Sequence, residues 1–229
     1  VVFLFPGQGA QYVGMGKSFY DHFPQAKQTF EEADDLLKEN LTKVIFEGPE
    51  ATLTETRNSQ MGIFVTSIAI LRTLNIKPAI VSGLSLGEYS ALHAAGMLSF
   101  QEALFLVRDR GTFMNQACLE NPGTMAAVLG MAGEEVEKVA GDGLWVANYN
   151  CPGQVVISGD VKGVEKGIAA LKEAGARRVM PLQVHGAFHS GLMQSAADKL
   201  EHSLKNISFK KSSIEIVMNV PGDFVSDIS

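Results

Sequence analysis

Pro78-Ala79-Ile80-Val81-Ser82, Gly83-Leu84-Ser85-Leu86-Gly87 and Glu88-Tyr89-Ser90-Ala91-Leu92-His93-Ala94-Ala95 follow one another without a linker. The first segment reads as a short buried strand and the last as the start of a helix. The turn between them has the pattern G-x-S-x-G. A serine on a strand-to-helix turn of this kind is forced outward at the N-terminus of the helix. Its glycines let the chain turn sharply and let neighbouring backbone pack close. The helix end supplies N–H groups and a positive dipole beside any oxyanion that forms. The pattern alone is weak; strand before and helix after make Ser85 a candidate nucleophile. The competing reading is a tight βα turn in which Ser85 only caps the helix.

The rest of the chain supplies a frame for that turn. Val1 to Phe5 is a continuous apolar run stopped by Pro6-Gly7-Gln8-Gly9, a buried strand followed by a loop. Phe23-Pro24 opens a helix with an apolar stripe through Ala26, Phe30, Ala33, Leu36 and Leu37. A second helix is expected over Gln60 to Leu74 and another over Phe100 to Cys118. Strands alternating with helices imply α/β architecture with a parallel sheet covered by helices. The middle of the chain changes rhythm. Met125 to Leu129, Gly133 to Ala140, Leu144 to Tyr149, Gln154 to Ser158, Val161 to Ala174 and Arg178 to Val184 read in order as βαββαβ, the ferredoxin-like arrangement. The expected organisation is therefore a core of residues 1–122 and 187–229 with an inserted subdomain over 123–186. Asn121-Pro122-Gly123 and His185-Gly186 would be its hinges.

Composition narrows the function classes. The 229 residues are 46% hydrophobic and 19% charged, which suits a globular protein with a substantial core. A net charge of −6 argues against general binding to nucleic acid or to anionic membranes. No apolar run approaches a membrane span, and no secretory signal pattern is visible. Cys118 and Cys151 form no metal or redox spacing and read as reduced thiols of a cytoplasmic protein.

A nucleophilic serine needs a base within hydrogen-bond reach, most often histidine. His93 sits on the helix that Ser85 begins and reads as a packing residue, while His22 and His202 lie in polar stretches. His185 and His189 flank the second hinge, where a two-domain site would have its cleft. Their spacing does not make a helical metal pair, because Gly186 intervenes and no H-E-x-x-H is present. No metal is expected. Gly7-Gln8-Gly9-Ala10-Gln11 misses both the dinucleotide and the Walker patterns by one glycine, at Tyr12 and at Gln11 respectively. Arg110, on an apolar helix, reads either as a snorkelling or salt-bridged arginine or as a bidentate clamp for a carboxylate.

Several segments together resemble one family, the malonyl-CoA:acyl-carrier-protein transacylases and the related polyketide acyltransferases. They are Phe5-Pro6-Gly7-Gln8-Gly9-Ala10-Gln11, Leu84-Ser85-Leu86-Gly87-Glu88-Tyr89-Ser90-Ala91, Arg110-Gly111-Thr112-Phe113-Met114, the stretch Asn148 to Gly159, and Gly186 to Met193. The resemblance implies an α/β-hydrolase-like core with an inserted ferredoxin-like subdomain. It implies ping-pong transfer through an acyl ester on Ser85, with His189 as base and the backbone N–H groups of Gln8 and Leu86 as the oxyanion hole. Arg110 matches the family arginine that holds the malonyl carboxylate. Phe188 and Asn150 match residues of the substrate cleft; their structural alternatives are core packing and capping of the turn before Pro152. Malonyl-CoA is implied as substrate and acyl carrier protein as partner, with no permanently bound cofactor and a monomeric enzyme in the cytoplasm.

This chain departs from the family at Leu84, where a histidine is usual. The family also continues several tens of residues past Ser229, in a part that completes the core and orients the histidine. No acidic triad member is therefore assignable, and a chain ending at Ser229 is expected to be weakly stable and a poor catalyst. The alternatives are a malonyl acyltransferase of polyketide synthesis, a serine esterase or thioesterase with water as acceptor, and an inactive carrier-docking fragment. Lys162, Lys166, Arg177, Arg178, Lys210 and Lys211 would be the basic residues available to an acidic carrier.

Overall fold

A computed structural model describes residues 1–141, 143–184 and 186–225. In chain order the elements are β1 (Val2–Phe5), α1 (Lys17–His22), α2 (Pro24–Leu37), α3 (Leu41–Glu47), α4 (Glu50–Thr54), α5 (Thr56–Leu71), β2 (Ile80–Gly83), α6 (Gly87–Ala94) and α7 (Phe100–Glu120). They continue with β3 (Gly123–Leu129), α8 (Gly133–Glu137), β4 (Leu144–Cys151), β5 (Gln154–Asp160), α9 (Val161–Glu173), β6 (Arg178–Pro181), a 3₁₀ turn (Gly191–Met193), α10 (Gln194–Leu204), β7 (Glu215–Met218) and β8 (Asp223–Val225). The protein is mixed α/β and divides into two compact units. One is Val1–Thr112 with the described residues from His202 onward; the other is Phe113–Glu201.

The first unit is built on a four-stranded sheet in the order β1-β2-β7-β8. β1, β2 and β7 are parallel, with Val2 opposite Ile80, Phe5 opposite Gly83 and Ser82 opposite Val217, and β8 joins antiparallel. α6 packs against β1, β2 and β7, and α5 packs against α2, α3, α4 and α6. The helix expected over Gln60 to Leu74 is α5, Thr56–Leu71, and it is buried all round from Ser59 to Thr66, because neighbours close on it from several directions. Met61, Ile63, Phe64, Val65, Ile68 and Ala69 are its buried apolar residues, and each of the five larger ones stabilises the unit by roughly 1.5–3 kcal/mol relative to an exposed side chain. Rings of Phe64 and Phe100 stack at 5.7 Å, with His93 edge-on to both. His93 is thus a packing residue, its Nδ1 3.0 Å from the Leu98 carbonyl oxygen.

The second unit carries an antiparallel sheet in the order β4-β5-β3-β6, with α9 packed on β3, β4, β5 and β6. One side chain cluster joins Ala126, Val128, Val155, Ile157 and Val179 of the strands to Val164 and Leu171 of the helix. Asp160 caps α9 by accepting from the Gly163 N–H at 2.7 Å. The unit contains all of 123–186 and extends past it at both ends. The last turns of α7 and the first of α10 bring Met114, Ala117, Cys118 and Ala196 into a second cluster with Met125, Val156, Phe188 and Met193. Neither cysteine is in a disulfide; Cys118 is buried and Cys151 exposed.

Candidate active site

β2 ends at Gly83, and the chain reverses into α6 within three residues. A Cβ on Gly83 would overlap the Gly87 carbonyl group and lie 2.6 Å from Glu88 N, so only glycine fits the tight side of this turn. Ser85 has φ 51°, a left-handed conformation that costs a non-glycine residue on the order of 1–3 kcal/mol. The helix cap is Leu86, and it receives no side-chain capping bond. Ser85 is therefore not a capping residue; its Oγ accepts a hydrogen bond from Arg110 Nη2 at 2.8 Å. The Leu86 side chain is buried while Leu84 stands half exposed beside the serine. Among the described residues no acceptor is paired with the backbone N–H of Leu86 or of Gln8.

Arg110 reaches the serine because α7 lies tight against α5. A Cβ on Gly111 would come 2.8 Å from Arg57 Cα, so the glycine following the arginine sets the helix spacing. Arg110 is 9% exposed. Its second arm donates to Gln60 Oε1 at 2.7 Å, and Gln60 Nε2 donates to Gln8 Oε1 at 3.2 Å. The Tyr89 ring lies 5.9 Å from the guanidinium carbon. Burial pulls the guanidinium below its ordinary range, opposed by the charges of Tyr89 and Glu88; arginine is so basic that it stays cationic. Arg108, two residues earlier, pairs with Asp109 at 2.8 Å. Arg110 has no carboxylate within 4 Å among the described residues. The salt-bridged reading of Arg110 thus does not hold among the described residues.

The floor of the turn is held by Asn219, at the end of β7. Its Oδ1 accepts from the Ser85 N–H at 2.5 Å, its Nδ2 donates to the Gly83 carbonyl at 2.6 Å, and its own N–H donates to Glu88 Oε1 at 2.6 Å. Burial raises the Glu88 carboxyl above its ordinary range, against the opposing Asn219 hydrogen bond and the Arg110 charge.

His189, Phe188 and Asn150 belong to the second unit. His189 occupies a turn with φ 57°, so Ser85, His189 and Lys38 are the non-glycine residues with positive φ among those described. Lys38 merely ends α2. Ser190 ties the histidine turn by donating to the Ala187 carbonyl at 2.6 Å and accepting from the Leu192 N–H at 3.2 Å. Phe188 is buried in the cluster with Met114, Met125 and Val156. Asn150 is exposed on β4. His185 lies outside the described residues. Among the described residues, no group of three or more His, Cys, Asp or Glu is placed to hold a metal ion, and no helix is long and apolar enough to cross a membrane.

The sequence matches the family described as acyl transferase domain over residues 2–224. The chain belongs to that family. A malonyl CoA-acyl carrier protein transacylase of Bacillus subtilis (strain 168) is 47% identical to this acyl transferase domain over 236 residues, covering 99% of the chain and 74% of the relative. The malonyl CoA-acyl carrier protein transacylase structure from Clostridium perfringens superposes with a TM-score of 0.93 at 42% identity, over 100% of this chain and 74% of that one. A malonyl-transacylase in complex with a type II polyketide acyl-carrier protein superposes with a TM-score of 0.92 at 38% identity, over 99% of this chain and 76% of that one.

Within this acyl transferase domain, Gln8, the adjacent Ser85 and Leu86, and Arg110 come from three separate segments of the first unit. Two members of the cluster were not among the residues expected from sequence. Gln60 reads as the polar start of an apolar helix, yet it is fully buried, and a buried amide must be hydrogen-bonded. Asn219 precedes Val220-Pro221-Gly222 and reads as an ordinary turn residue.

Proposed function

We propose that the domain transfers malonyl from malonyl-CoA to the phosphopantetheine thiol of acyl carrier protein, in fatty acid synthesis, by way of an ester on Ser85. Ser85 Oγ attacks the thioester carbonyl as His189 takes its proton. The oxyanion is met by the N–H groups of Gln8 and Leu86, the C–S bond breaks, and coenzyme A leaves as the thiol with the proton returned by His189. The carrier thiol then attacks the ester, again with His189 as base, and Ser85 regains its proton as the thioester forms.

The buried Arg110 guanidinium, 2.8 Å from Ser85 Oγ and without a carboxylate of its own among the described residues, carries this reading. A buried cation calls for an anion, and the free carboxylate of a malonyl ester sits two carbon–carbon bonds from the ester carbonyl. The left-handed backbone at both Ser85 and His189 adds to it, since such strain concentrates at functional sites. Phe188 and Asn150 shape the acyl cleft. The relatives' names support malonyl-CoA as substrate and the carrier protein as partner. No cofactor is held permanently, and the enzyme works as a monomer in the cytoplasm.

The same reading takes the first unit as an α/β-hydrolase-like core and residues 123–186 as an inserted ferredoxin-like subdomain. The strand order β4-β5-β3-β6, with helices between β3 and β4 and between β5 and β6, supports the latter. Incubation with malonyl-CoA followed by intact-mass measurement is expected to show one malonyl added to the protein, discharged by a carrier thiol, and nothing added to Ser85→Ala. Absence of the adduct on the unsubstituted protein overturns the transfer reading. Rapid hydrolysis of the adduct without a thiol would move it to an esterase.

A further inference from the structure

Asn219 does more than brace a loop. β2 and β7 pair in parallel, with Ile80 opposite Glu215, Val81 opposite Ile216 and Ser82 opposite Val217. Continuing that register places Met218 opposite Gly83 and Asn219 opposite Leu84. In a parallel ladder, one residue's backbone accepts from the N–H and donates to the C=O on either side of its partner. The Asn219 side chain does the same around Leu84: Oδ1 accepts from Ser85 N–H and Nδ2 donates to Gly83 C=O. Its carboxamide stands in for a peptide group and carries the ladder one step further, into the turn where β2 has already left the sheet.

Two consequences follow for the chemistry. The peptide planes on both sides of Leu84 are held, and with them the left-handed backbone at Ser85 that aims Oγ at Arg110. The Ser85 N–H is also consumed, so the oxyanion must be met by the next amide along, that of Leu86. Resting on the reading of Ser85 as the acylated serine, we propose that Asn219 is a positioning residue for acyl transfer, fixing the nucleophile's backbone through its side-chain amide. Glu88 Oε1, by accepting from the Asn219 N–H at 2.6 Å, orients the asparagine in turn.

The test is single-turnover acylation by malonyl-CoA, with rate and half-saturating concentration measured separately for the unsubstituted protein, Asn219→Ala and Asn219→Asp. The alanine variant loses both bonds. The isosteric aspartate keeps the acceptor for Ser85 N–H but sets an oxygen against the Gly83 carbonyl. Misplacement of a reacting group costs up to about a hundredfold in rate. Acylation is expected to slow by about tenfold or more in the alanine variant and by less in the aspartate variant, with half-saturation within about threefold of the unsubstituted value, because Arg110 and the acyl pocket are untouched. If the unsubstituted protein forms no adduct, the Ser85 reading itself is wrong. If it acylates and both variants match its rate, the positioning role is refuted while the Ser85 reading stands. Rate and half-saturation moving together, or neither variant folding, would make Asn219 a structural tie and equally overturn the proposal.

Discussion

Replacing Arg110 by alanine tests the acyl-recognition geometry most directly. Arg110 is only 9% exposed, so the interaction of its guanidinium with a bound carboxylate is little screened by solvent. At about 4 Å and an effective dielectric near 20, the Coulomb energy of such a pair is about 4 kcal/mol. Truncation also opens space for water beside the stranded carboxylate and recovers part of that. A net loss of about 2–3 kcal/mol is expected, at the lower end for buried hydrogen-bonded charge pairs. At 1.36 kcal/mol per tenfold, kcat/KM for malonyl-CoA falls roughly 30- to 150-fold relative to acetyl-CoA. The ratio of the two substrates is the proper readout. Arg110 also donates to Ser85 Oγ, and any damage to the nucleophile acts on both substrates and cancels. The assay is carrier-protein acylation with each acyl-CoA under identical conditions. Arg110→Lys should fall between, since one ammonium cannot span Gln60 Oε1 and Ser85 Oγ as the guanidinium fork does. A malonyl-to-acetyl ratio within about threefold of the unsubstituted value would refute the carboxylate-clamp assignment.

Two predictions concern stability. Gly83→Ala forces a Cβ into the Gly87 carbonyl, backbone against backbone with no flexible group to yield, and should destabilise by about 3 kcal/mol or more, read as a lower urea midpoint at unchanged slope; an unshifted midpoint would mean the turn is looser than described. His93 is held below its ordinary range, mainly by burial and against the Leu98 hydrogen bond. Since the folded value is the lower one, the unfolded chain binds the proton more readily. The contribution of neutral His93 is therefore complete above about pH 6.5 and is lost as pH falls from there through the folded value. The stability gap between the unsubstituted protein and His93→Gln should change between about pH 7.5 and 5.5; a gap independent of pH would contradict this.

The strand-turn-helix around Ser85 was legible because its contacts are local: apolar run, glycine-bounded serine and helix follow within eighteen residues. Part of the βαββαβ rhythm of the second unit was legible for a similar reason, since β4 and β5 pair across the short Pro152-Gly153 turn, with Cys151 opposite Gln154. α1, α3 and α4 were not foreseen; at 6, 7 and 5 residues they are too short to show a helical period. β7 and β8 escaped because strands of 4 and 3 residues carry little alternation. Arg110 could be named as a candidate, but its separation from Arg108 required the packing of α7 on α5, set by Gly111. Gln60 and Asn219 act across 50 and 134 residues of chain, and nothing in their immediate neighbours announces such partners.

The separation between Ser85 and Asn219 bears on how this protein comes to be active. Synthesis delivers the serine turn well before the asparagine that completes it, 134 residues downstream. Until β7 docks beside β2, the left-handed backbone at Ser85 lacks the two side-chain bonds that hold it, and so relaxes to an ordinary conformation. The turn that holds Ser85 is thus completed by a contact of high sequence separation, the kind formed late in folding because loop closure must precede it. On the proposed reading of Ser85, a nascent chain carrying the complete G-x-S-x-G sequence is expected to form no acyl ester until its distant strand arrives.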